Sequence, residues 1–298
     1  MRHQVGHLLA VTAARLRVAP GGPRLRHRAA ARLTAAALAV PLVALVPAPA
    51  AAVADPPRHP VARGHGGAVA TVDPTATAAG LAVLRGGGNA VDAALAAAAT
   101  LGVTEPFSAG IGGGGFFVYY DARQRRVHTV DGRETAPAAT RPDVFVDPAT
   151  GRAMDFTEAR VSGLSVGVPG TLATWYEAAR RWGTRPVRRA LEDAAGVAAG
   201  GFTVDQTFRD HVAENQAAFA QFHSSRALYL PGGAPPRVGT VHRNPDLART
   251  YRQLARRGPA AFYRGAIGRD LVDAVRRPPL AADRPAWPHA IRPGAMAM

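Results

Sequence analysis

Apolar positions in this chain follow two periods, and the change between them divides it. From Asp73 to Leu101 the sequence is dominated by alanine and leucine. Asp73 stands as an N-cap before Pro74 in a first helical position, which predicts a helix running to Arg85. Gly86-Gly87-Gly88 stops it. Asn89 then caps a second helix, Ala90 to about Leu101, with Asp92 three residues on in capping-box fashion. That helix is apolar nearly all round, so it is predicted to be buried. The period then falls to two: Gly115–Asp121 and Arg126–Asp131 read as strands joined by a short polar turn, a hairpin. Leu164 to Val168 alternates apolar and small residues, predicting a further strand that ends at Pro169-Gly170.

Thr171 is expected to cap the next helix. Leu172, Trp175, Tyr176 and Ala179 recur there at i, i+3, i+4 and i+7, a stripe that predicts core packing rather than a cofactor box. Further helices are predicted near Val187–Ala199, Asp205–Phe219, Asn244–Arg257 and Ile267–Arg276. No internal repeat is present. The sum is an α/β chain with strands early and helices dominating later.

The chain has 298 residues and is 47% hydrophobic, enough to build a real core. It lacks cysteine, which excludes disulfides, thiolate metal sites and cysteine nucleophiles. All 36 basic residues are arginine, a bias expected of a GC-rich genome. The net charge of +15 suggests a polyanion partner until it is divided: seven arginines and no acid in residues 1–54 account for +7. The other +8 is spread among 21 acidic residues with no dense basic run, so no nucleic-acid partner is expected.

Those first 54 residues read as an address. An arginine-containing lead precedes the apolar run Leu33–Ala54, which ends in small residues, as a secretory signal does. The run approaches the length of a membrane span, but Pro41, Pro47 and Pro49 oppose a stable spanning helix. Cleavage near Ala52 or Ala54 would leave a mature chain starting near Asp55. A secreted or extracytoplasmic protein is therefore expected, with no membrane association once the signal is removed.

The chemistry concentrates in Ser108–Asp121, where glycines at 110 and 112–115 run into an apolar strand, and in Asp131-Gly-Arg-Glu-Thr-Ala-Pro137. Gly110, Gly112 and Gly115 satisfy G-x-G-x-x-G. A dinucleotide site needs a strand before the glycines and a helix after them, and here the order is reversed. Arg133, in a tight turn after the second strand, is different: a planar guanidinium can grip a carboxylate with two parallel hydrogen bonds. Serine candidates (Ser108 near His128; Ser162 and Ser165 with Asp155) lack any G-x-S-x-G elbow. His59, His65 and His211 have no metal-ligand spacing.

Several blocks resemble the gamma-glutamyltransferases (glutathione hydrolases), in that family's order. They are Gly66–Thr71, Gly87–Ala94, Glu105-Pro106 with the loop to Gly115, Asp131–Pro137, Val166–Gly170, Asn244–Ala248 and Gly258–Gly265. The resemblance covers roughly residues 66–283. It implies an N-terminal-nucleophile hydrolase-like αββα sandwich, incomplete because only the large-subunit part is matched. It also implies that a threonine, freed by self-cleavage and activated by its own amino group, attacks a γ-glutamyl amide such as glutathione. The acyl group then passes to water or to an acceptor amino acid or peptide. No metal or organic cofactor is implied. By its match to the family motif, Arg133 binds the α-carboxylate of the γ-glutamyl group, with Asp131, Gly132 and Glu134 setting its orientation.

The family's Thr-Thr-His-type nucleophile motif does not occur in the sequence. No catalytic residue is therefore assigned, and the chain alone is expected to be inactive without a small-subunit half as partner. The alternatives are a catalytically inactive amino-acid or γ-glutamyl binding protein and a non-functional fragment. Residues 284–298 have the Pro/Arg/Ala composition of out-of-frame GC-rich DNA and are expected to be a non-family tail, from truncation, frameshift or a split gene.

Overall fold

A computed structural model describes residues 61–298; the expected signal peptide, residues 1–54, lies outside them. Helix α1 (Pro74–Arg85) begins as its sequence predicts, with the Asp73 carboxylate accepting the Ala76 N–H at 2.7 Å. Helix α2 (Ala90–Thr104) opens on a complete capping box. Asn89 Oδ1 accepts the Asp92 N–H at 3.0 Å, and Asp92 Oδ2 accepts the Asn89 N–H at 2.9 Å. Having no polar face, α2 becomes the centre of the core: Val91, Leu95, Ala96, Ala99 and Val103 are all buried.

A single-turn helix α3 (Pro106–Ala109) leads through the glycine loop into β1 (Gly115–Asp121), paired antiparallel with β2 (Arg126–Gly132). The register sets Gly115 opposite Gly132 and Tyr119 opposite His128. Alternation then sorts the faces. Phe117 and Tyr119 turn inward onto Trp182, at ring separations of 6.2 and 5.0 Å. Phe116, Val118, Tyr120 and Val127 lie outward, Phe116 and Val118 being 65% and 66% exposed.

After a short α4 (Phe156–Val161), helix α5 (Thr171–Trp182) packs its Leu172/Trp175 stripe against the hairpin and α2. Helix α6 (Val187–Gly200) lies against α2, and the later helix Pro245–Arg257 packs on α6. A two-residue strand β3 (Phe202–Thr203) is followed by α7 (Gln206–Glu214), α8 (Gln216–Phe219) and α9 (His223–Tyr229). Strand β4 (Val241–His242) pairs antiparallel with β3. Helices α10 (Pro245–Arg257), α11 (Ala260–Tyr263) and α12 (Ala266–Arg276) follow. Tyr251 of α10 is fully buried, and its hydroxyl donates to the Ala99 carbonyl of α2 at 3.1 Å. A smaller cluster of Val204, Phe208, Val212 and Leu230, with Phe107 and Tyr229 packed on it, forms beside the main core.

Three predicted elements differ. Leu164–Val168 is not a strand: Gly163–Ser165 makes a 3-10 turn, and only Val168 pairs, donating its N–H to the Thr135 carbonyl at 2.8 Å. The Ser165 hydroxyl folds back onto the Arg160 carbonyl at 3.0 Å, an alternative to ladder pairing that short polar side chains offer. Thr171 does not cap α5; Gly170 holds that position, and the Thr171 N–H donates to Gly113 O at 3.1 Å. The long helix expected over Asp205–Phe219 starts after Asp205 but breaks at Asn215, whose side-chain amide donates to the His211 carbonyl at 2.9 Å.

The last residues carry no regular element but pack closely. Met296 is fully buried, Arg276 donates to its carbonyl at 2.8 Å, and Arg292 pairs with Glu158 at 2.7 Å. Among the described residues no helix is long and apolar enough to cross a membrane.

Candidate functional site

Four glycines let three chain segments meet at the end of the hairpin. Gly113 closes a turn on the Gly110 carbonyl at 3.1 Å, and its own carbonyl accepts the N–H groups of Gly170 and Thr171 at 3.0 and 3.1 Å. Two otherwise unpartnered donors at the start of α5 are thereby satisfied. Gly114 lies against the Gly132 carbonyl and the Glu134 N–H, Gly167 against the Glu134 side chain, and Gly170 against the Gly132 carbonyl. A β-carbon at 114, 132, 167 or 170 would collide with a neighbour. None of these glycines has positive φ, so close backbone approach is what they provide.

Arg133 leaves the chain where these segments cross. Its N–H donates to Asp131 Oδ1 at 3.0 Å, so Asp131 shapes the turn through the backbone rather than touching the guanidinium. Gly132 is buried beneath the turn, against Thr174 of α5. Glu134 meets the guanidinium directly, Arg133 Nε lying 3.3 Å from Glu134 Oε2. The Arg133 side chain stays 64% exposed, with most of its donors free to face a ligand. It borders an open cavity of about 480 Å³, lined also by Gly112, Glu134, Thr140, Phe145 and Ser165. This combination of one guanidinium, one carboxylate, the threonines Thr135 and Thr140 and an aromatic ring suits a small zwitterionic or anionic ligand.

A second cavity of about 470 Å³ lies between α2 and the start of α6, away from this turn, and includes Asp92, Arg185 and Arg189. Its Asp92 carboxylate is consumed by the Asn89, Thr184 and Arg185 N–H groups. Of the serine candidates, Ser162 and Ser165 are engaged by backbone carbonyls and Ser108 is exposed on α3. Ser162 Oγ donates to the Glu158 carbonyl at 2.7 Å, Asp155 caps α4, and His128 packs on Trp182 at 5.5 Å.

The cavity lining at Thr140 and Phe145 was not expected from sequence, because these positions sit in a loop without period; Ser165 was read as part of a strand and as a serine candidate, not as cavity lining. Tyr263 was also missed as a neighbour of the site. It lies in the quoted Gly258–Gly265 block, but nothing local connects it to Pro169, whose carbonyl its hydroxyl reaches at 2.9 Å.

Residues 76–278 match the sequence pattern of the gamma-glutamyltranspeptidase family. The glutathione hydrolase proenzyme of Bacillus subtilis (strain 168) is 38% identical over 213 residues, covering 72% of this chain and 36% of that protein. The chain thus spans about a third of that relative's length. Among solved structures, Helicobacter pylori gamma-glutamyltranspeptidase superposes with a TM-score of 0.69 at 28% identity, over 72% of this chain and 61% of that one. The Pseudomonas nitroreducens enzyme, solved in complex with L-DON, gives 0.63 at 33% identity, over 70% and 60%. The fold is that of these N-terminal-nucleophile hydrolases, present in part: the described residues form helices and two two-stranded sheets. The chain belongs to the gamma-glutamyltranspeptidase family.

Proposed function

We propose that this chain supplies the carboxylate-binding part of a γ-glutamyl transferase or glutathione hydrolase. The reading is carried by the Asp131–Glu134 turn, which aims an exposed guanidinium into a cavity within the stretch matched to the family. Arg133 holds the α-carboxylate of the γ-glutamyl group through a two-pronged charged contact. Glu134 holds the guanidinium to one side of the cavity, Asp131 fixes the turn, and Gly132 makes room for it. The nucleophile is a threonine supplied by a small-subunit half. That half covers the outward apolar face of Phe116, Val118 and Tyr120, which in this chain has no partner among the described residues. Acyl transfer then proceeds to water or to an acceptor amine through a covalent intermediate. Residues 1–54 direct export.

Calorimetric titration of the full chain with L-glutamate and glutathione tests the clamp. Binding by the wild type and its loss in Arg133→Ala is the expected result; equal affinity in both proteins would sink the assignment. Hydrolysis of a γ-glutamyl anilide by the chain alone would place the nucleophile within these residues instead.

A further inference from the structure

Tyr263 ends α11, and its hydroxyl reaches the start of α5. It donates to the Pro169 carbonyl at 2.9 Å and accepts the Ala173 N–H at 3.1 Å. Ala173 lies in the first turn of α5, where helix N–H groups have no intrahelical partner. The phenol therefore caps this helix from a distant part of the chain. The ring is held by its edge-on contact with Phe262, centroids 5.1 Å apart. Burial pushes the hydroxyl's pKa above its ordinary 10.0, with the Ala173 N–H only partly offsetting it, so the group stays protonated and able to donate.

The Pro169–Gly170 turn that Tyr263 grips is the surface on which the Arg133 turn rests. Gly170 is packed against the Gly132 carbonyl and the Arg133 carbonyl, too closely for any side chain. The glycine loop holds Gly170 from one side through Gly113, and Thr174 of α5 donates to the Gly170 carbonyl at 3.0 Å. Tyr263 supplies the hold from a third element.

We propose that Tyr263 is a positioning residue for Arg133: its phenol fixes the Pro169–Gly170 turn, that turn seats the Gly132 carbonyl, and the seat sets the direction in which the guanidinium leaves the chain. The proposal rests on the reading of Arg133 as the carboxylate clamp. Tyr263 touches no ligand itself.

The test compares full-length wild type, Tyr263→Phe, Tyr251→Phe and Arg133→Ala. The readouts are the backbone amide resonances of Gly132 and Arg133, the affinity for L-glutamate, and the melting temperature. Tyr263→Phe keeps the ring and removes both hydrogen bonds. It is expected to displace both resonances and to weaken L-glutamate about fivefold. Tyr251→Phe removes a comparable bond, to Ala99 in the core, and is expected to lower Tm without moving those resonances. Unmoved resonances in Tyr263→Phe, or equal movement in Tyr251→Phe, overturn the proposal. Should Tyr263→Phe fail to fold, hydrogen exchange in the wild type decides. The Ala173 amide must be protected like the interior of α5, and exchange at the rate of an open first turn overturns the proposal. Unchanged L-glutamate affinity in Arg133→Ala would instead defeat the clamp reading, leaving the resonance comparison to decide Tyr263.

Discussion

Asp92 accepts the backbone N–H of Thr184 at 3.0 Å, joining residues 92 positions apart. The same carboxylate takes the N–H groups of Arg185 at 3.0 Å and of Asn89 at 2.9 Å, and Asn89 in turn donates to the Trp182 carbonyl at 2.6 Å. One capping box thus starts α2 and also fastens the end of α5. Replacing Asp92 by Ala removes the acceptor of four part-buried donors, the N–H groups of Asn89, Thr184 and Arg185 and the Thr184 hydroxyl, and is expected to destabilise the chain by about 2–3 kcal/mol.

Asp92 also predicts a pH dependence. Burial by itself pushes the carboxyl up, but the Thr184 hydroxyl and the N–H groups of Asn89, Arg185 and Thr184 outweigh it and hold the pKa below 3.8. A folded pKa below the unfolded one means the stabilisation is complete above 3.8 and is lost as the pH falls through the folded value. The stability gap between wild type and Asp92→Ala, measured by urea unfolding, is expected to be constant near neutrality and to shrink only below pH 3.8. A gap that closes near pH 6 would contradict it.

Gly132→Ala should be severe, because the new methyl would occupy the place of the Thr174 hydroxyl. A loss of about 2 kcal/mol or more is expected. Thr174→Ala alone removes one hydrogen bond to Gly170 and should lose about 1 kcal/mol. The double variant should be less damaged than the sum of the two, since the second change clears the space the first needs. Additive losses in chemical denaturation would show that the two residues do not compete.

Arg133→Lys keeps the charge but turns a planar fork into a point charge on a flexible stem. L-glutamate affinity is expected to fall about tenfold with Tm unchanged, since the side chain is 64% exposed and its contact with Glu134 is worth little to stability. Wild-type affinity in the lysine variant would argue against two-pronged recognition.

Met296, fully buried near the end of the chain, makes the packing of the last residues measurable. Met296→Ala is expected to lose about 2–4 kcal/mol. Arg292→Ala should lose only about 1 kcal/mol, because its pairing with Glu158 is partly solvated. Melting curves of these two variants that overlay the wild type would mean residues 284–298 do not contribute to the fold.

The outward face of β1 joins Phe116, Val118 and Tyr120 in one exposed apolar strip, a surface prone to self-association. Val118→Lys is expected to reduce concentration-dependent association in sedimentation runs while leaving the unfolding free energy within about 0.5 kcal/mol of wild type. Unaltered association would place the sticky surface elsewhere.

Local rules sufficed wherever the signal is a cap or a period within one stretch of chain. The caps at Asp73 and Asn89, the glycine stop after Arg85, the period-two hairpin and the Leu172/Trp175 stripe were all legible, because each leaves a cap residue or a period in the local sequence. The arginine turn was legible as a motif, and the family resemblance supplied its meaning. Leu164–Val168 misled for the converse reason. Its alternation is that of a strand, but Gly167 lies close against Glu134 from another segment, and among the described residues the stretch makes only the single bridge Val168–Thr135. Only the tertiary structure decided that glycines 114, 132, 167 and 170 form one crossing, that Asp92 serves two helices, and that Tyr263 holds the turn beneath Arg133. Close packing between distant segments leaves no period in the sequence, since each partner needs only to be small or correctly placed, and which partner it meets is set by how the helices stack.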